Sequence, residues 1–296
     1  MSKTKQPAIT VHEDVEFFRE ALRFTTAQSG FTGRLIEKDY FCTVLLAFLD
    51  GAASDDLVFK GGTCLTKVHS ELYRLSEDLD YTIPVPFETS RSERSRRVED
   101  MKAALSQVKQ SVPAFRVVEP LRGANNSTQY VAAVAYSSMI TPKDETIKIE
   151  VSLREPLLMP IVQGQARTLL LDPVSNTAVV SPVSLSNIAK TEALAEKFRA
   201  ALSRRDVAVR DFYDIDYAVR KGGLRPKSTE LIDQVKQKLA VPGNDPVNVS
   251  DGRLAALRMQ IEHQLRPVLR EKDFVEFDLD RAFKIGVEMA KAVELQ

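Results

Sequence analysis

The chain reads as an α/β (α+β) protein: a small mixed sheet with its own helices over residues 1–175, then a helical domain over residues 176–296. Three observations predict this. Residues 57–82 follow the order apolar run, glycine turn, short helix, strand. Three β-type runs crowd the stretch 115–153. From Ser184 onward the apolar spacing is helical almost to the end, which sets a change of composition near residues 160–185.

Taken in order, residues 1–10 form a loose tail. Val15, Phe18, Ala21, Leu22 and Phe24 fall at helical spacing within 12–28, and Gly30 is placed to close that helix. A second helix spans 32–49, with Leu35, Tyr40, Val44, Leu45 and Phe48 for a core face. Both support the sheet. Leu57-Val58-Phe59-Lys60 reads as a strand, Gly61-Gly62 as a tight turn, and Thr63 as the cap of a helix of about two turns. The next strand ends in the paired carboxylates Asp78 and Asp80, continues through Tyr81-Thr82-Ile83, and stops at Pro84 and Pro86. Residues 90–112 predict one helix that opens on the basic cluster Arg91, Arg94, Arg96 and Arg97. That cluster is either a solvated face or a contact for an RNA or nucleotide backbone.

Strands are predicted at 115–118, 130–136 and 146–153, with a turn over 121–127 around Gly123, Asn125 and Asn126. In the third strand Lys148, Glu150 and Ser152 share one face. A short strand follows at 167–171. Beyond it, Ser184 or Ser186 caps a helix striped by Leu185, Ile188, Ala195, Phe198 and Leu202. Further helices cover 207–220, 228–239, 251–269 and 279–295, with a loop at 241–246.

Composition bounds the function. With 296 residues, 44% hydrophobic and 28% charged, the chain buries a core and is not disordered throughout. Lys+Arg and Asp+Glu stand at 41 each, so no nucleic-acid partner is announced globally and any such contact rests on local patches. Cys42 and Cys64 sit in apolar helical contexts as reduced core residues, and three histidines without ligand spacing argue against zinc. No apolar leader follows Met1, and the longest apolar run, residues 44–49, is too short for a bilayer. A cytoplasmic protein without membrane contact is the default expectation.

Chemistry concentrates in two places. Asp78 and Asp80 are two apart, so a strand points both carboxylates to one side. They repel unless a cation lies between them, and hard divalent ions suit that setting. The glycine turn and the start of the next helix suit an anion. Taken alone, two glycines are a turn and an Asp-x-Asp pair is a solvated edge. In this order they make a phosphate cradle facing a metal pair, as phosphoryl or nucleotidyl transfer requires. The second place runs from Ala195 to Arg205 and into Arg210-Asp211-Phe212-Tyr213-Asp214, where Asp211 and Asp214 share a helical face. It reads either as a salt-bridge lattice between two helices or as a second functional group.

The pattern Lys60-Gly61-Gly62-Thr63-x-Leu65-x-Lys67, followed by Arg74-x-Ser76-Glu77-Asp78-Leu79-Asp80, resembles the AbiEii family of nucleotidyltransferase toxins, which includes the mycobacterial MenT enzymes and lies within the nucleotidyltransferase superfamily. Lys197 and Asp211 match later motifs of that family. The resemblance implies a nucleotidyltransferase domain followed by a helical domain that closes the cleft. It implies that Asp78, Asp80 and Glu150 hold Mg²⁺ or Mn²⁺, with Glu150 as the third carboxylate from a later strand. Gly61, Gly62 and Thr63 would receive the phosphates of an NTP substrate, and Lys60 or Lys67 would add positive charge. Ser76 would orient Asp78 or serve as a phosphorylation site. Lys197 would contact the triphosphate, and Asp211 would help hold it or orient the attacking group. The implied reaction is transfer of a nucleoside monophosphate to RNA, at the tRNA acceptor end, by a toxin with an antitoxin partner. Two rivals remain open: transfer to a small molecule or protein, and a non-catalytic module that binds nucleotide or a partner.

Overall fold

The structure, a computed structural model, describes residues 8–294. The first residues of the expected tail and Leu295 of the expected last helix lie outside the described residues. The chain divides into two compact units, Met1–Ile188 and Ala189–Gln296.

The first unit is built on one seven-stranded mixed sheet. Its strands are β1 (Val58–Lys60), β2 (Leu79–Thr82), β3 (Phe115–Ala124), β4 (Gln129–Tyr136), β5 (Glu145–Ser152), β6 (Val162–Ala166) and β7 (Val183–Asn187), in the order β3-β4-β5-β2-β1-β7-β6. β2 and β5 are parallel, as are β1 and β7; the other neighbours are antiparallel. Pro120 interrupts β3 without penalty because that strand is a sheet edge, and the pairing with β4 shifts register around it.

Among the described residues, a short 3₁₀ turn (Val11–Glu13) and two α-helices precede β1. In α1 (Val15–Ser29), the Asp14 side chain accepts from the Phe17 N–H at the start, and Gly30 at φ 76° closes the end. α2 (Gly33–Ala52) is buried on nearly every side, as a helix inside a core must be. Its Phe41 stacks on Tyr136 of β4 with ring centres 4.0 Å apart, and Phe18, Tyr40 and Phe115 complete the aromatic cluster. Cys42 and Cys64 are free and buried, and burial pushes the Cys42 thiol up to about 12.

Several boundaries differ from the sequence reading. The short helix α3 (Gly61–Lys67) has Lys60 at its cap position, so Thr63 lies inside the helix and does not cap it. The carboxylate pair opens strand β2 and does not end it: Asp78 immediately precedes the strand and Asp80 lies within it. The helix expected over 90–112 is three short ones, α4 (Arg91–Arg97), α5 (Glu99–Ser106) and α6 (Val108–Ser111). The expected turn at 121–127 narrows to Asn125, Asn126 and Ser127, all with positive φ, because β3 runs on to Ala124. The late strand is β6, at 162–166, and residues 167–171 contribute only the single bridge of Leu171 to Ala178. Ser184, Leu185 and Ser186 belong to β7 and cap no helix. Pairing of β7 with β1 and β6 carries the sheet further along the chain than the composition suggested.

The second unit is helical: α7 (Lys190–Ser203), α8 (Val209–Arg220), α9 (Thr229–Leu239), α10 (Asp251–Gln260), α11 (Glu271–Glu276) and α12 (Leu279–Glu294). The expected long helix at 251–269 ends at Gln260, and a π turn and a 3₁₀ turn containing Pro267 follow. Phe212 of α8 stacks against Phe283 of α12 in the core. Lys238, fully buried, is neutralised by Glu192 at 2.7 Å and Glu196 at 3.3 Å.

Candidate active site

The glycine turn and the acidic strand are locked together by space. Gly61 has φ +75°, a conformation that side chains disfavour. A Cβ built there would lie 2.0 Å from Oδ2 of Asp80, so the Asp80 carboxylate occupies the room that a side chain at 61 would need. Thr63, buried, donates its hydroxyl to the Asp78 backbone carbonyl and so ties the helix to the approach of β2. Lys60, at the end of β1, is the cross-strand partner of Asp80 and shares its face.

Register then sets the acidic group. In the parallel β2–β5 pair, Asp80 stands opposite Glu150 on strands about 4.8 Å apart. Opposed residues share a sheet face, so the two carboxylates project to the same side. Lys148 donates to Glu150, and the Gln129 amide donates to the other Glu150 oxygen at 3.0 Å. The hydrogen bond to Glu150 holds the Lys148 ammonium above its ordinary range against the effect of burial, and the charges of Glu150, Asp78 and Asp80 add to it. Oxygen-only carboxylate donors fit a hard divalent ion in type. Among the described residues, no group of three or more His, Cys, Asp or Glu is drawn together as a ready ion cage.

Sequence reading missed the ionic frame behind this edge. Arg34 and Lys38 of α2 reach Glu77 at 2.8 and 3.2 Å, and Glu145, at the head of β5, at 2.8 and 3.7 Å. Burial works against the Glu77 charge, but Lys38 and Arg34 outweigh it and hold its carboxyl below the usual range. The frame ties the residue before Asp78 to the strand of Glu150. Ser76 lies half-buried in the irregular stretch before β2. Nothing local in the sequence pairs positions 34 and 145.

Lys67 departs from the phosphate role read for it. It is buried, pairs with Asp39 at 2.6 Å, and also donates to Thr43 Oγ1, the Asp39 carbonyl and the Arg167 carbonyl at 2.8–3.1 Å. Three N–H groups facing four protein oxygens leave none for a nucleotide. The basic cluster of α4 is largely engaged within the protein. Arg94 is buried on the Phe87 carbonyl, while Arg96 and Arg97 pair with Glu93.

In the helical unit, Lys197 of α7 bridges Asp211 at 2.8 Å and Asp214 at 2.9 Å, both on α8. All three are buried or nearly so. Asp211 Oδ2 is buried without a hydrogen bond, with the Arg204 guanidinium 3.7 Å away. With Lys197 between them and Arg204 at the outer side of Asp211, the two carboxylates are matched by two cations.

A two-glycine turn set against in-register carboxylates on a mixed sheet is the arrangement that the resemblance to the nucleotidyltransferases implies. Comparison with known families narrows this. Residues 43–287 match the nucleotidyl transferase AbiEii toxin family of type IV toxin–antitoxin systems, and the chain belongs to that family. No curated protein matches it. Among solved structures, it is similar to JHP933 from Helicobacter pylori, with 16% identity, TM-score 0.45, and coverage of 93% of this chain and 92% of that one. It is also similar to a protein described as a nucleotidyltransferase from H. pylori, with 15% identity, TM-score 0.46, and coverage of 93% and 95%. Among the described residues, no helix is long and apolar enough to cross a membrane.

Proposed function

We propose that this family member is a metal-dependent toxin that transfers a nucleoside monophosphate from an NTP to an RNA acceptor, the 3′ end of tRNA. The observation that carries this reading is the placement of Asp80, opposite Glu150 on one strand and against Gly61 on the other side. Asp78, Asp80 and Glu150 would hold Mg²⁺ or Mn²⁺. When bound, the ion supplies charge neutralisation at the α-phosphate and lowers the pKa of the acceptor hydroxyl. Gly61 and Gly62 present backbone without side-chain bulk to the phosphates, and Thr63 fixes the turn against Asp78. Lys60, on the face of Asp80, adds positive charge beside the departing pyrophosphate. As the family resemblance assigns them, Lys197 would turn from Asp211 and Asp214 to the triphosphate and Asp211 would act as orienting group. Ser76 orients Asp78. An antitoxin is the expected protein partner, and the cytoplasm, where NTP and tRNA meet, is the expected location.

The test is incubation of purified protein with each α-³²P-NTP, Mg²⁺, and total RNA, cell protein or small metabolites. Label on tRNA that disappears with Asp80→Ala is the expected result. Label confined to protein or metabolite moves the acceptor to another class, and no transfer under any condition makes the chain a binding module.

A further inference from the structure

The face that carries Asp80 and Glu150 also carries a cation with no role in the reading above. Leu79 stands opposite Ile149 and Asp80 opposite Glu150 on parallel strands. Asp78 and Lys148 each sit one residue before the first of these pairs. Residues two apart share a strand face, so Lys148 joins Asp80 and Glu150 on one side of the sheet, and Asp78, just ahead of β2, acts on it by charge. Its ammonium donates to one oxygen of Glu150, and Gln129 holds the other. This pair is half open to solvent, at 49% exposure for the lysine and 29% for the glutamate. An ion pair so exposed is weak and exchanges readily. A lysine stem of four carbons can swing its charge away without moving the strand.

The geometry points to Lys148 as a resident counter-ion that keeps Glu150 in place in the metal-free protein and must release it before a divalent ion is held. The inference rests on the reading that Asp78, Asp80 and Glu150 are the metal-binding carboxylates. Lys148 is a positioning residue and does not touch the reacting atoms. Its charge opposes the incoming ion twice, by occupying Glu150 and by like-charge repulsion. The Gln129 amide, being neutral, steadies the same carboxylate without that opposition.

The test titrates the purified full-length protein with Mn²⁺ alone, without nucleotide, and follows free Mn²⁺ by electron paramagnetic resonance. Lys148→Gln is expected to bind Mn²⁺ about fivefold more tightly than wild type, the scale set by loss of one exposed ion pair. Lys148→Arg, which keeps the charge, is expected to stay near wild type. A second neutral variant, Lys148→Met, must behave like Lys148→Gln, and urea midpoints of all variants check that they fold. Unchanged or weaker Mn²⁺ binding in both neutral variants, with binding still abolished by Asp80→Asn, overturns the role of Lys148 and leaves the metal reading standing. If wild type binds no Mn²⁺ or Asp80→Asn binds as well as wild type, the metal reading itself falls and takes this inference with it.

Discussion

Two lysines of the sheet unit pair with carboxylates and do opposite work. Lys67 and Asp39 are each 1% exposed, and the ammonium is surrounded by protein oxygens. Lys148 and Glu150 lie at the open face, and a neutral amide completes the partner. The first pair has no capacity left for a ligand and holds α2, α3 and the chain near Arg167 in one piece. The second is cheap to break. A lysine beside a glycine turn is therefore no phosphate ligand by proximity alone; its hydrogen-bond occupancy decides.

The comparison breaks most visibly at Lys67. Lys67→Met strands the buried Asp39 charge, and a loss of about 3–5 kcal/mol is expected from urea unfolding. A loss below about 1 kcal/mol would mean that the pair is not sealed. At the open face the effect moves from stability to chemistry. Asp80→Asn is expected to lower nucleotide transfer by more than the roughly 10–100-fold typical of losing an outer-shell partner, with the urea midpoint nearly unchanged. Gly61→Ala tests the joint between the two regions. The positive φ and the clash with Asp80 predict a cost of about 1–3 kcal/mol together with reduced transfer, read by thermal melting and the same assay.

The smallest effect concerns Glu37, a buried carboxylate that accepts from the Ser138 hydroxyl and the Met139 N–H. Burial pushes its carboxyl above the ordinary 4.5, and the neighbouring Glu145 charge adds to this. A raised carboxyl binds its proton more tightly in the folded state, so its contribution to stability falls as pH rises through the window above 4.5. Lowering the pH through that window should therefore favour wild type over Glu37→Gln in urea midpoints. A difference flat across pH 4–7 would contradict it.

The parts legible in the sequence were local. Gly61-Gly62, the spacing of Asp78 and Asp80, and the alternation of Lys148 and Glu150 each state a turn or a face within a few residues. The opposition of Asp80 to Glu150 was not written there, because the register between strands seventy residues apart is settled by which faces bury together. Strand β7 was hidden for a related reason. Val183, Leu185 and Asn187 are its buried positions, but Leu185 and Ile188 are also spaced for a helix. The polar edge strand β6, Val-Gln-Gly-Gln-Ala, has little apolar signal to read. Lys67 gave no warning because its partner Asp39 sits on another helix, and only the folded chain brings that carboxylate to it.

The crowding of Gly61 by Asp80 has an evolutionary corollary. A lineage that keeps its acid at position 80 has no room for a methyl at 61, and one that trims the acid away still meets the positive φ of that residue. Glycine at 61 is therefore held twice, by the neighbour across the sheet and by its own backbone, and relaxing one constraint leaves the other in force.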